Sequence, residues 1–512
     1  MVCIKQAVKI KYFMSYLGLD IGTSGCKALV FNECGEELAA SYLEYPLITP
    51  KEGWVELDSE DVCAKCFEVI REVVLKTSAD PIRAMGISSQ GEAFTPVDKN
   101  GTILGNAMVS SDTRASGIVN EFCSNFGAEK LYSITGHTAY PMFSLFKLIW
   151  IKQNRADLWE KAAKFLCFED LLHLKLGLDP AIGYPLAGRT MLFNVIDHQW
   201  DEQILESVGI DSSQLARPLT SGTVAGTISD KIATQLGLQN EVMVVTGGHD
   251  QSCGALGAGI VSKGMAMYAT GTVECITPAF DKPVFGDNLF KNNYCTYDFA
   301  IPGMYTTVAY SLTGGNILKW YRDEFAYEEK AIAKQNGRNV YDVILDSLPQ
   351  NPSRLLVLPY FTPTGTPYFD SHITGAIIGL RFNTTREEIL RALLEGVAFE
   401  MRLNLSILEK SGIVIDELRA IGGGSKSKVW TQLKANVLNK PITTVAVTEA
   451  GCFGVAMLAK SAVTGIQVEK IVSEWVKTSK TIFPEIELAA YYEKQFQTYL
   501  KLYPALKSIQ FE

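Results

Sequence analysis

The chain has no apolar run long enough to cross a membrane as a helix: although 47% of its 512 residues are apolar, its longest hydrophobic stretches break off well before about 18 residues. A helical transmembrane role is thereby excluded. Residues 1–15 carry Lys5, Lys9 and Lys11 but no apolar stretch of signal-peptide length and no small-residue cleavage site, so they read as a dispensable extension, with Met14 an alternative start. Clusters of Lys and Arg are also missing. With 47 basic against 56 acidic residues and a formal charge of −9, a nucleic-acid surface is excluded. Histidine is scarce at five, and no His pair or second CxxC accompanies Cys63 and Cys66, which argues against a zinc site. The eleven cysteines are odd in number and irregularly spaced, a pattern that suits reduced thiols in a cytoplasm and not a disulfide framework. Cys63 and Cys66 share the helical spacing of Val62, Phe67, Ile70, Val73 and Val74, so both thiols are expected to face a core.

Against these absences stands one organising stretch, Tyr16 to Phe31, YLGLDIGTSGCKALVF. Two apolar strands flank Asp20, Gly22, Thr23, Ser24 and Gly25, which reads as a hairpin with a carboxylate at its bend. Small residues there expose backbone N–H groups of the kind that cradle phosphate oxygens, Asp20 is suited to a hydrated magnesium ion, and Lys27 adds a positive charge. Met265 to Ile276, MAMYATGTVECI, repeats the pattern around Thr270, Gly271 and Thr272 about half a chain later. The repeat predicts a duplicated fold with a nucleotide between the halves. The length independently favours two domains, placed at residues 16–259 and 260–512.

Other segments place polar residues at the ends of buried strands, where α/β proteins collect ligand contacts. IRAMGISSQGEAF ends in Ser88, Ser89, Gln90, Gly91 and Glu92, followed by a loop with Asp112 and Arg114. VMVVTGGHDQSCGALGAG delivers His249, Asp250 and Gln251 before a small-residue helix, and lone His249 reads as packing. Glycine turns recur at Gly314-Gly315 and at Gly422 to Gly424. Long helices are predicted for Thr384 to Lys410, capped at Thr384 or Thr385, and for Ala489 to Leu506, whose aromatics at Tyr492, Phe496, Tyr499 and Tyr503 read as packing.

In family order across nearly the whole chain, LGLDIGTSG, GGHDQSCGALGAG, ATGT, Gly314-Gly315, IGGGSKSKVW and EAGCFGVAML resemble the FGGY carbohydrate kinases, the family of xylulokinases, glycerol kinases and gluconokinases. Phe143 to Asn154 is similar to the family's first signature, and Gly375 to Glu395, with Gly379, Glu388 and Glu395, to its second. The resemblance implies an α/β fold of two actin-like, ribonuclease-H-like domains closing on an interdomain nucleotide cleft. It implies ATP and Mg²⁺ as cofactors and a small sugar or polyol as acceptor. By that likeness Asp20, Thr23, Ser24 and Lys27 lie near the transferred phosphate, with Asp20 toward the metal. Gly271, Thr272, Gly314 and Asn316 flank the nucleotide, and Gly423, Gly424 and Ser427 lie near adenosine. Asp250 falls on the catalytic base. A carboxylate suits that role, because an alcohol must lose its proton as it attacks phosphorus; the competing reading is a helix cap.

Gln90, Gly91, Glu92, Asp112, Asp250 and Gln251 are the expected substrate contacts. Gly91-Glu92 stands where xylulokinases usually place Met-His and glycerol kinases Arg-Glu. The small Gly91 is expected to widen the pocket, and Glu92, Asp112 and Asp250 to repel an anionic acceptor, with Arg114 offsetting part of that charge. A ketopentose such as D-xylulose is therefore the leading expectation. Glycerol, erythritol or another polyol is the alternative within the family, and an actin- or Hsp70-like conformational protein the alternative in class. A homodimer is one candidate assembly.

Overall fold

The computed structural model describes residues 14–239 and 241–509. The expected extension lies almost wholly outside them, and Ser15 already belongs to the first strand and is fully buried. That strand, β1 (Ser15–Ile21), turns into β2 (Gly25–Phe31) and continues into β3 (Glu37–Glu44). Helix α1 (Ser59–Lys76) follows, started by Asp58, whose carboxylate accepts from the Glu60 and Asp61 N–H groups. Its buried stripe of Val62, Cys63, Cys66, Ile70 and Val73 packs against β2 and β3, so both cysteines face the core. Burial pushes the Cys63 thiol up to about 12, which leaves it inert. Strands β4 (Ile82–Ser89), β5 (Val224–Thr227) and β6 (Met243–His249) complete a six-stranded sheet in the order β5-β6-β4-β1-β2-β3, and helix α2 (Asp250–Gly257) leaves its β6 end.

The second half repeats the plan. Strands β7 (Gly264–Thr270) and β8 (Glu274–Phe280) form the counterpart hairpin, extended by β9 (Tyr297–Asp298), β10 (Tyr305–Thr306) and β11 (Ala309–Ser311). Helices α3 (Gly315–Glu324) and α4 (Arg386–Lys410) precede β12 (Ile415–Ile421), then come α5 (Lys428–Leu438), β13 (Ile442–Thr444), α6 (Ala450–Thr464), α7 (Ile486–Tyr499) and α8 (Leu502–Leu506). In each sheet the hairpin's first strand also pairs in parallel with a later strand: β1 with β4, β7 with β12. Both halves therefore bring one hairpin turn and the neighbouring strand's end to the same edge.

Thr385 caps α4 by accepting from Glu388 N–H. The expected helix over Ala489 to Leu506 instead breaks between α7 and α8, and its tyrosines do more than pack. Tyr492 and Tyr499 donate to Glu395 and Glu400 at 2.6 Å each, and Tyr503 donates to Asp370 at 3.0 Å. Glu395 is further held by Arg391 at 2.7 Å. This signature glutamate thus anchors α7 to α4.

One element crosses the boundary drawn from sequence. Helix α6 lies against β1, β4 and β6 of the first sheet and against α2, so the centre of the molecule is an α2–α6 pair between the sheets. The pair comes within backbone contact, since a Cβ on Gly454 would meet the Cys253 carbonyl at 2.1 Å, and β1 sits as close to α6, since one on Gly18 would meet the Cys452 carbonyl at 1.9 Å. Gly18→Ala should therefore cost about 3 kcal/mol or more in urea unfolding. Gly117→Ala, in a helix where a Cβ meets nothing within 4 Å, should be neutral or stabilise by up to about 1 kcal/mol. Equal urea midpoints for the two variants would contradict this packing.

Candidate active site

Between the halves lies a cavity of about 420 Å³. The first half lines it with Thr23, Gln90, Gly91, Glu92, Asp250 and Gln251, and the second with Cys275, Tyr310 and Phe369 among others. A larger open depression of about 1060 Å³ around Glu202, Asp211 and Arg217 includes none of the strand-end residues. The chemistry-bearing groups gather in the smaller one.

The β1–β2 turn is tied to the end of β4. Thr23 donates to Gln90 Oε1 at 3.2 Å, and Gln90 Nε2 donates to the Gly22 carbonyl at 2.9 Å. Asp20, opposite Ser88 in the β1–β4 register, accepts from the Ser88 hydroxyl at 2.7 Å. Burial raises the Asp20 carboxyl above its ordinary range, opposed by that hydroxyl and by Lys27. Lys27 itself pairs with Glu449 at 2.6 Å, just before α6, so its charge is largely spent across the halves. Among the described residues no cluster of three metal-ligating side chains exists. A single carboxylate fits a magnesium ion that keeps its waters and takes phosphate oxygens as remaining ligands.

Glu92 departs from the expected free carboxylate. Its backbone is left-handed at φ 64°, held by Ser144, whose hydroxyl donates to its carbonyl at 2.9 Å, and by Lys147 at 3.2 Å. The buried Lys147 ammonium also donates to the Met108 and Val109 carbonyls at 3.1 and 3.0 Å, while burial lowers its pKa to about 8. The Glu92 side chain pairs with Arg189, Nε to Oε1 at 2.5 Å. Arg189 and Glu92 keep 8% and 3% of their exposure. Two of these partners, Ser144 and Lys147, sit in the first signature; nothing local in the sequence singled out Arg189.

The widened pocket is corrected as well. A Cβ on Gly91 would lie 3.0 Å from His249 Cδ2 and 3.5 Å from Arg189 Cβ. The space released by glycine is filled by these two side chains. Asp112 is corrected too. It is buried away from the cavity, accepting from Val55 N–H at 2.7 Å and from Arg114 Nε at 2.9 Å. Arg114 also pairs with Glu56 at 2.7 Å and lies over Trp54 at 3.9 Å. Ser110 and Ser111 line the cavity in place of Asp112.

Asp250 is the first residue of α2, and the cap position before it is held by His249. Its side chain keeps 30% of its exposure and lines the cavity. The surrounding protein nevertheless pushes its carboxyl up to about 7, mainly by burial and then by the charges of Asp20 and Glu92, against the Gln251 N–H and Arg189. A carboxyl poised near neutrality can accept a proton from a bound hydroxyl.

On the second half, Gly315 N–H donates to Gly271 O at 2.8 Å and Asn316 N–H to Thr272 O at 3.2 Å, which locks the β7–β8 turn to the start of α3. The Asn316 side chain is consumed locally, accepting from Gly314 N–H at 2.7 Å and donating to Leu312 O at 2.9 Å. Gly422 turns at φ 88°, and Gly424 fits against the end of β7, where a Cβ would meet Thr270 O at 3.1 Å. Gly423 has open space, and Ser427 caps α5. Three backbone turns thus line one edge.

Residues 15–257 match the N-terminal domain model of the FGGY family of carbohydrate kinases, and residues 266–463 match its C-terminal domain model. The chain belongs to the FGGY family of carbohydrate kinases. It is similar to a xylulose kinase of Staphylococcus xylosus, 26% identical over 96% of this chain and 100% of the relative. A glycerol kinase of Clostridium botulinum is 32% identical over 92% of this chain and 95% of the relative. A gluconokinase of Bacillus subtilis is 26% identical over 95% and 94%. Among solved structures, a protein described as a xyloylose kinase of Brucella ovis superposes with TM-score 0.87 and 28% identity, covering 97% of this chain and 100% of that one. This FGGY kinase therefore has the two-domain fold expected of it, and the conformational-protein reading falls away.

The Glu92–Arg189 pair gives the kinase a vulnerable point, because removing one partner strands a buried charge. Arg189→Ala should cost about 3 kcal/mol or more in urea unfolding, and Glu92→Gln/Arg189→Ala should recover part of it. A single variant as stable as the parent would show that Glu92 is not confined by this pair.

Proposed function

We propose that this carbohydrate kinase transfers the terminal phosphoryl group of ATP to a hydroxyl of a neutral ketopentose, D-xylulose being the leading candidate, with Asp250 as general base. The observation that carries this reading is Asp250 itself, a carboxyl raised to about 7 at the mouth of α2, in one cavity with Thr23, Gln90 and Glu92. Asp250 takes the acceptor's proton as the new oxygen–phosphorus bond forms. N–H groups of the Thr23–Ser24 and Gly271–Thr272 turns hold phosphate oxygens, and the Gly423–Gly424 turn with the Ser427-capped α5 borders adenosine. Asp20 would hold Mg²⁺, which neutralises phosphate charge. Closure of the halves excludes water.

Pairing changes the substrate argument. Glu92 is offset by Arg189 and Asp112 lies outside the cavity, so repulsion of an anionic acceptor rests on Asp250 and Asp20. Neutral acceptors remain favoured, by less than three free carboxylates would give. The 32% identity to a glycerol kinase supports a smaller polyol as the second reading.

A coupled ADP-release assay over D-xylulose, other pentuloses, tetritols, glycerol and gluconate should show Mg²⁺-dependent turnover highest with a neutral ketopentose, and Asp250→Asn should lower kcat by about 10²-fold or more. Gluconate outrunning every neutral acceptor would reverse the substrate reading, and near-parental kcat in Asp250→Asn would remove the base.

The pH profile provides a separate check. A base must be ionised to accept a proton, and this carboxyl is protonated below about 7, so kcat/KM should rise with pH through neutrality and level off above it. An acid limb near pH 4, the ordinary carboxyl range, would mean that Asp250 is not the group titrating.

A further inference from the structure

We propose that His249 and Tyr297 are positioning residues that fix the carboxylate of Asp250 through a hydrogen-bond chain anchored in the second half of the molecule; this rests on Asp250 being the base. The buried Oδ1 of Asp250 lacks an aligned hydrogen-bond donor. His249 Nε2 nevertheless lies 3.2 Å from that oxygen, a contact of the loosely aligned kind that tightens when substrate binds. The imidazole reaches this place because Gly91 has no side chain: a Cβ there would lie 3.1 Å from Nε2.

The chemistry of the pair assigns the tautomer. An ionised carboxylate only accepts, so Nε2 carries the hydrogen and Nδ1 presents its lone pair. Tyr297 Oη, 3.0 Å from Nδ1, then donates to it. Burial, Arg189 and His137 all hold the ring neutral, so no further charge enters the site. With Oδ1 held, Oδ2 is left to receive the acceptor's proton, which stays on Asp250 and does not pass to the histidine.

Tyr297 is fully buried on β9 of the second sheet and is not among the residues lining the cavity. Its hydroxyl thus supplies, from the other half, the last link in orienting the base. Separation of the halves breaks the chain at Tyr297, so the base is aligned only when they are together.

The test uses the full-length enzyme with ATP and the best acceptor of the panel, D-xylulose first. Tyr297→Phe removes one hydroxyl outside the cavity and should lower kcat about tenfold, the worth of about one hydrogen bond, with KM for ATP and KM for the acceptor unchanged and the urea midpoint lowered only slightly. His249→Ala should lower kcat by about tenfold to a hundredfold, and His249→Gln, whose amide keeps a donor on the same side, should restore most of it. Because the three groups act as a unit, Asp250→Asn/Tyr297→Phe should be no slower than Asp250→Asn alone. If Asp250→Asn is inactive while Tyr297→Phe and His249→Ala keep parental kcat, the positioning chain is overturned and the base stands. If the variants raise acceptor KM at constant kcat, His249 is a substrate ligand and the proposal is equally overturned. Near-parental kcat in Asp250→Asn would remove the base and the chain with it. Should His249→Ala fail to fold, Tyr297→Phe decides alone.

Discussion

Everything else in the structure depends on the seating of α6 against α2 and the first sheet, where the two halves meet backbone to backbone. Gly454 on α6 meets the carbonyl of Cys253, and Gly18 on β1 meets that of Cys452. Side chains would hold these elements apart, and tightly packed interiors do not absorb such a change without displacement. The same two helices begin at functional points: α2 with Asp250, and α6 beside Glu449, which reaches Lys27 on the first hairpin. Packing at the centre therefore sets the spacing between the two phosphate-facing edges.

Around that centre, buried charge is managed by pairing. Glu92 with Arg189, Asp112 with Arg114 and Glu274 with Lys434 are each enclosed and each compensated. Asp250 is not paired in this way. It has no cationic partner, stands near two other carboxylates and keeps some exposure to the cavity, so burial lifts its carboxyl toward neutrality. A compensated carboxylate would be held ionised and would be a weaker base. The pairing that stabilises the neighbouring charges is absent at Asp250, whose chemistry needs that absence.

Much of this was legible in the chain because it rests on local rules. The alternation of Leu17, Leu19 and Ile21, broken by small residues, marks the hairpin. The stripe through Val62, Cys63, Cys66 and Ile70 marks α1 and the fate of its thiols. Asp250 stands out as a carboxylate after a glycine-broken strand, and the ordered motifs identify the family. What misled were residues whose meaning lies in a distant partner. Gly91 promised space, and His249 with Arg189 filled it. Asp112 looked like a ligand and turned out to belong to Arg114. His249, read as packing, does pack, yet it lies within reach of both Asp250 and a tyrosine 48 residues away.

The sequence by itself determined the elements, the duplication, the family and the small set of strand ends where chemistry gathers, since periodicity, capping and turn composition are properties of neighbouring residues. Only the tertiary structure decided which carboxylates are free. Ionisation and hydrogen-bond satisfaction depend on every group within a few ångströms, whatever its position in the chain. Glu92 and Arg189 are 97 residues apart in sequence and share one hydrogen bond, and α6, drawn with the second half, covers the first sheet. Local order wrote the parts of this kinase, and long-range contact assigned their charges.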